Sequence, residues 1–373
     1  MSSTDPAAHQ REIINRYAQP RDARGLFQIL STLIPLGLLW YGALRSATVS
    51  YYLTAAAVPF ISLLTLRVFA LMHDCGHGSL FRSRWLNRSF GLALGVIVAM
   101  PQYVWAQHHS YHHAHNGNWD KYRGPYSTRS TDEYAAMSPS AQRLYRRKCS
   151  IQASPIAGFI YLIANPRLTW IRGSIDFAWH ALKGKFLQPH RSLTAHARSF
   201  VPRYWKSAKE YRHMTWNNLL LIGGWVLMCS LFSPGLFFST YLVSLSLAGA
   251  VGIVLFTVQH NFEHAYASDG AHWSYAAGAI RGTSFLVLPS WLNWFTADIG
   301  YHHIHHLSSH IPNYCLARCH AEQEPHFQKV TRLRLSQVRG SLKCILWDTR
   351  ARRIISVREY QQQLLQELAR SQH

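Results

Sequence analysis

Apolar residues gather into four uncharged runs, Leu26 to Leu44, Tyr51 to Leu66, Met214 to Phe232 and Leu236 to Val258. A helix needs roughly 20 mostly apolar residues to cross ~30 Å of hydrocarbon. The first, third and fourth runs are long enough. The second is short and meets Arg67, whose long side chain is expected to snorkel to the interface. The runs pair into two hairpins, Leu26 to Met72 and Met214 to Val258. This pattern predicts an all-α integral membrane protein with four transmembrane helices, over about 26–44, 51–72, 214–232 and 236–258. Phe90 to Val104 and Phe285 to Phe295 are shorter apolar stretches. Their prolines (Pro101, Pro289) and tryptophans (Trp105, Trp291, Trp294) suit interfacial or re-entrant helices. Ile151 to Ala164 is ambiguous in the same way. Residues 1–25 read as a polar N-terminal segment without the apolar core of a signal peptide. Residues 321–373 read as a basic, helical tail.

Histidine is concentrated where the apolar runs end. Of 23 histidines, ten fall in four clusters: His73 and His77; His109, His112 and His113; His260 and His264; His302, His305 and His306. Two clusters share the form H-x-x-H-H. Residues three and four apart lie on one helix face, so each cluster is expected to aim its rings at one point. Neutral imidazole is a good ligand for iron, zinc, copper or nickel. A lone H-x-x-x-H is more often structural, but four clusters with a repeated spacing point to a polynuclear metal site. His108, His115, His303 and His310 fall outside the spacing and read as bystanders or outer partners. Soluble di-iron oxygenases use Glu-rich ligation with E-x-x-H repeats, absent here. The few nearby carboxylates, Asp74, Glu263 and Asp298 among them, are therefore expected to accept from ring N–H groups and fix tautomers. A shared site requires all clusters on one side of the membrane, so an even number of crossings separates any two.

The formal net charge of +21 first suggests nucleic acid. Its distribution argues otherwise. Arg11, Arg16, Arg21 and Arg24 precede the first run; Arg143, Arg146, Arg147, Lys148, Arg203, Lys206, Lys209 and Arg212 precede the third. The two hairpin turns carry only Arg45. This is the positive-inside pattern, placing both termini and the metal site in the cytoplasm, facing anionic lipid and soluble partners. A mean hydropathy of −0.08 means that much of the chain lies outside the bilayer. Six cysteines occur without a C-x-x-C. Cys315 and Cys319 beside His320 are a candidate small metal site, against the plainer reading of two thiols on one helix face.

The boxes also resemble a known family. His73-Asp74-Cys75-Gly76-His77-Gly78-Ser79-Leu80-Phe81, followed by Trp85 and Asn87, is similar to the first box of membrane fatty acid desaturases. Trp105, His109, His112, His113 and Asn116 resemble the second. His302, His305 and His306, with Ile311-Pro312-Asn313-Tyr314, resemble the third. The resemblance runs from about Leu26 to about Tyr314 and extends to the desaturase and hydroxylase superfamily. It implies four spans capped by a cytosolic domain holding two iron ions, with O2 as co-substrate and an external electron donor. It also implies a further ligand after the fourth span, at His264, with His260 acting directly or through water, and Asn116 as an outer partner. The H-x-x-x-H first box, His302 opening the third, and the lack of a fused cytochrome b5 motif make acyl-lipid Δ12 or ω-type desaturases the most similar.

The expectation is an O2-dependent desaturase of lipid-linked acyl chains, served by a separate ferredoxin or cytochrome b5. Zinc is able to take the place of iron in a purified sample, since it too binds imidazole. A di-iron hydroxylase of alkyl, sphingolipid or carotenoid substrates is the alternative within the superfamily, because it shares the boxes. A metal transporter is the alternative from another class. It would place ionisable groups at mid-membrane, and the four runs have none at their centres.

Overall fold

The computed structural model describes residues 6–371 except 125 and 126, so the extreme ends of the N-terminal segment and tail lie outside it. Helix α1 (Pro6–Tyr17) leads to α2 (Asp22–Ser46) and α3 (Tyr51–His77), which form the first hairpin. Ser50 caps α3 by accepting from the Tyr52 N–H, and Gly78 ends it in the left-handed conformation. The second helix thus runs well past the apolar stretch and carries His73 and His77 on its last turns. Arg67 does not snorkel. It is buried, donates to Thr32 Oγ1 and the Trp294 carbonyl, and lies over the Trp294 ring. The helix continues past Arg67, which leaves its guanidinium facing protein.

Helices α4 (Arg84–Ile97) and α5 (Gln102–His115) meet at 103°, giving Phe90 to Val104 a re-entrant form. The bend depends on Gly95, where an added Cβ would stand 2.6 Å from the Met100 carbonyl. It also uses Ala99 at φ 55°, and Arg167 donates to the Ala99 carbonyl.

A short strand β1 (Arg129–Ser130) and helices α6 (Thr131–Ala135) and α7 (Pro139–Lys148) follow. Residues 151–187 then form a nearly continuous helical stretch that includes α8 (Ser154–Phe159), a π-turn over Ile160–Ala164 and α9 (Asn165–Leu187). After α10 (Leu193–Arg198) come α11 (Ala208–Leu231) and α12 (Pro234–Val258), joined by a short turn. Helix α8 packs directly on α12, because a Cβ on Gly158 would meet the Ser246 carbonyl at 2.5 Å. Ile151 to Ala164 therefore packs on the bundle. Four helices, α2, α3, α11 and α12, are long and apolar enough to span a membrane.

The chain beyond α12 departs from an all-α expectation. Helix α13 (Tyr275–Ile280), strand β2 (Ser284–Val287), and helices α14 (Ser290–Thr296), α15 (His302–Leu307) and α16 (Asn313–Glu322) lead into β3 (Thr331–Arg334), α17 (Val338–Ser341), β4 (Cys344–Asp348), β5 (Arg353–Ser356) and α18 (Val357–Ser371). Strand β3 pairs parallel with β2, and β4 joins β1 to β5 in one sheet. Phe285 to Phe295 is thus strand and then short helix. The last 50 or so residues are tied into the body by strand pairing and end in a helix; a basic composition carried no period-2 signal long enough to reveal such short strands. Cys315 and Cys319 are buried in an apolar cluster with Ile304 and Phe327, as ordinary core thiols.

The Gly158–Gly249 contact brings two helix backbones together, where small residues allow close packing. Gly249→Val is expected to cost about 1–3 kcal/mol through overpacking. Gly37→Ala, with nothing within 4 Å, should be neutral. Thermal inactivation of the detergent-solubilised protein compares them; equal midpoints would show that this contact is not tight.

Candidate metal centre

Four elements end at one level. Helix α3 supplies His73 and His77, α5 supplies His109, His112 and His113, and α15 supplies His302, His305 and His306. His260 comes from the turn after α12. The rings sort into two groups, His73, His77, His109, His113 and His305 in one, and His112, His260, His302 and His306 in the other. Within each, one nitrogen per ring lies within 4.8 Å of all the others.

The two H-x-x-H-H boxes do not each aim at one point. In α5 the i, i+4 pair His109 and His113 joins the first group, and His112 joins the second. In α15 the pair His302 and His306 joins the second group, and His305 the first. Helix geometry explains the split. Positions i and i+4 are about 40° apart around the axis, whereas i+3 and i+4 are about 100° apart. Each box therefore serves both centres, in opposite proportion. His113 and His306 stack between the groups with centroids 4.1 Å apart.

The remaining predicted residues divide. His73 Nδ1 lies 2.9 Å from Asp74 Oδ1, and Asp74 Oδ2 accepts the Asn313 N–H. This contact fixes the ring and leaves His73 Nε2 free to face the group. Asn116 donates to the Gly278 and Gly282 carbonyls, and the Gly282 carbonyl also faces His260 Nδ1 at 3.3 Å. Asp298 is half-buried beside Arg67 and Asp74; its carboxyl is pushed up to about 6, chiefly by burial. It makes no described contact with a histidine of either group. Glu263 is exposed and apart. His264 is also exposed: its backbone is at φ 65°, and Arg353, held by Glu359, donates to its Nδ1. The left-handed turn swings His264 toward the C-terminal sheet and leaves His260 in the group, reversing the expected emphasis. His303, buried, pairs with His320 at 3.1 Å, while His108 and His310 are exposed.

Of the aromatic walls around the site, the sequence reading named Trp105 and missed Phe256 and Tyr122. Trp105 stacks on His109 at 4.5 Å, and its Nε1 donates to the Tyr161 hydroxyl. Phe256 packs on His112 and His260, and Tyr122 on His112. Phe256 stands one helical turn before His260, which was the available signal.

The donor set fits metal ions. Burial holds His302, His305 and His306 well below the usual imidazole range, and His260 is pushed down to about 3. Neutral rings keep a lone pair for a metal. His77 Nε2 and His305 Nε2 are buried without a hydrogen-bond partner. Nε2 pairs lie 3.0 Å apart for His109–His113, 3.2 Å for His112–His306 and 2.9 Å for His260–His302. Two nitrogens each about 2.1 Å from a shared ion stand roughly 3.0–3.4 Å apart at 90–109°, close to these separations.

A family profile described as fatty acid desaturase matches residues 50–335. The chain belongs to the fatty acid desaturase family. It is 32% identical over 356 residues to a "Fatty acid desaturase" of Bacillus subtilis (strain 168), covering 94% of this chain and 92% of that one. It is 24% identical to an "sn-1 oleoyl-lipid 12-desaturase" of Picosynechococcus sp., over 74% and 73% of the two chains. With an "sn-1 acyl-lipid omega-3 desaturase (ferredoxin)" of Nostoc sp. it shares 25% identity, over 80% and 75%. The protein is accordingly an oxidoreductase of lipid metabolism, and its histidine groups are able to hold metal.

Replacing a ring in each group separates ligand from bystander. His260→Ala and His305→Ala are each expected to lower the metal content of purified protein from two ions toward one or none, and His264→Ala to leave it unchanged. Elemental analysis decides. Metal loss in His264→Ala alone would return the ligand role to that residue.

Proposed function

We propose that the protein introduces a double bond into a lipid-linked acyl chain, using O2 and two iron ions held by the nine grouped histidines. The observation that carries this reading is the pair of all-nitrogen pockets, to which the ends of two helices apolar enough to span a membrane bring His73, His77 and His260. A methylene C–H has no acidic character, so no side-chain base can remove its hydrogen; bound iron supplies the redox chemistry that activates O2 for the purpose. The chain's own residues hold and orient. Asp74 fixes the His73 ring, the Gly282 carbonyl fixes His260, and Trp105 with Phe256 excludes water from the apolar side of the site. Two hydrogens leave adjacent carbons of the chain. Two further electrons and two protons complete the conversion of O2 to two waters.

The four spans and the positive-inside distribution support cytoplasmic termini and a cytoplasmic site. A separate carrier, a ferredoxin or a cytochrome b5, brings the two electrons. A cleft of about 710 Å³ beside the second group's supporting strands suits it, with Arg146, Arg332, Lys343 and Arg358 on its walls against Glu263 and Glu359. Complementary charge raises the encounter rate and is screened over ~8 Å at physiological salt.

Expression in a host lacking polyunsaturated lipids, followed by mass spectrometry of acyl chains, is expected to show lipid-linked chains two mass units lighter. His109→Ala and His306→Ala should abolish that product. A product sixteen mass units heavier would establish the hydroxylase alternative instead.

Turnover with a reduced carrier is expected to fall as salt rises. Charge reversal at Arg146, Arg147 or Lys148 should slow turnover several-fold with bound metal unchanged. In a reconstituted system, turnover independent of ionic strength would remove these residues from carrier docking.

A further inference from the structure

Helix α9 and the segment after it bear features that the redox site does not use. Ile171, Ile175, Trp179, Leu182 and Phe186 follow one another at intervals of three and four residues. They form one stripe along a helix about 35 Å long, and every one is exposed, Phe186 to 84%. The stripe is not in a membrane-length apolar helix, because Arg167, Arg172, Asp176, Lys183 and Lys185 share α9. The same helix runs along the start of α11. Trp170 Nε1 donates to Thr215 Oγ1, and the Ser174 and Tyr211 hydroxyls are 2.9 Å apart. Helix α9 thus departs from the bundle where the third span begins.

About 100° round the helix from the stripe lies a cavity of about 650 Å³, closed by α10 and residues 199–203. Trp179 belongs to both the stripe and the cavity wall. Lys183, Arg191 and Arg203 line the cavity against a single carboxylate, Asp176. Among the described residues the Lys183 and Arg203 side chains make no hydrogen bond or ion pair, and the Arg191 guanidinium donates to the neutral Gln188 side chain. His180 and the buried His196 also line it, with their Nε2 atoms facing Ser199 Oγ and the Gln188 carbonyl. Gly184 lets α10 close the cavity, since a Cβ there would meet His196 Nδ1 at 2.5 Å.

We propose that this cavity binds the phosphate headgroup of an anionic membrane phospholipid, whose acyl chains lie along the α9 stripe. An amphipathic helix with a basic polar face and exposed Trp and Phe seats in the headgroup layer. Charge complementarity selects an anionic headgroup, at about 1 kcal/mol per Lys or Arg near an anionic surface. Continuity with the adjacent span supplies the membrane. The proposal rests on the chain being embedded in a bilayer and not on the redox reading, so loss of desaturation and loss of lipid binding are separable.

Native mass spectrometry of the full-length protein, purified in detergent and incubated with phosphatidylglycerol or phosphatidylcholine, provides the test. One phosphatidylglycerol is expected to be retained in preference to phosphatidylcholine. The combined variant Lys183→Glu, Arg191→Glu and Arg203→Glu should lower that retention by on the order of 100-fold. Equal charge reversal at Lys329, Arg339 and Arg370 should not. Should the triple variant fail to fold, Lys183→Ser alone should lower retention roughly fivefold. Equal retention of the two lipids, or equal loss in the control variant, would overturn the proposal. So would displacement of the lipid by millimolar inorganic phosphate, which would make this a free-anion site. A dimer split by Phe186→Asp would assign the stripe to a second copy of the chain and also overturn it.

Discussion

Nine imidazoles are gathered with little counter-charge among them, and the rest of the architecture follows from keeping them so. Buried rings stay neutral because charging them would cost desolvation and mutual repulsion. Neutral rings whose lone pairs face one another need a common acceptor of those pairs, and several ring nitrogens are buried without a protein partner. Facing rings can share a hydrogen bond in pairs, whereas a metal accepts lone pairs from all the rings of one group at once. Membership of the fatty acid desaturase family sets this arrangement in a chain with four helices apolar enough to cross a membrane.

Holding four chain segments at one level requires braces outside the groups. Arg67 ties α3 to α2 and to Trp294, just before the left-handed residues Ala297 and Asp298 that turn the chain toward the third box. Arg167 joins the re-entrant turn to Asn218 of α11. Each cation is desolvated but hydrogen-bonded, a way to fix geometry more than to add stability. His260 is braced from the C-terminal side. Gln259 donates to the Ile299 carbonyl, Ser284 donates to the Gln259 carbonyl, and β3 pairs along β2 immediately beyond. Residues far along the chain thus hold a ring that sits at the end of the fourth span.

The division of each H-x-x-H-H box between two centres links the same helices twice. A rotation of α5 that improved one group would spoil the other, because His112 and His113 point about 100° apart. The stacked His113 and His306 lie between the groups and tie α5 to α15. The site is therefore most sensitive to helix rotation, and the packing of Trp105 and Phe256 against its rings opposes such motion.

The sequence by itself determined four helices apolar enough to cross a membrane and the three histidine boxes, because these depend on local composition and on spacing within one helix. Length and apolarity mark a membrane helix, and a repeat of three and four marks one face. Tertiary structure decided what depends on where separate segments meet. It put His260 in the second group and His264 outside, where its own left-handed backbone and the Arg353 contact hold it beside the C-terminal strands. It buried Arg67, which local pattern placed at the interface, because α14 packs over it. It also made strands of residues 331–334, 344–348 and 353–356. Their pairing partners are distant in sequence, and a strand of four or five residues takes its stability from the neighbour it meets rather than from its own composition.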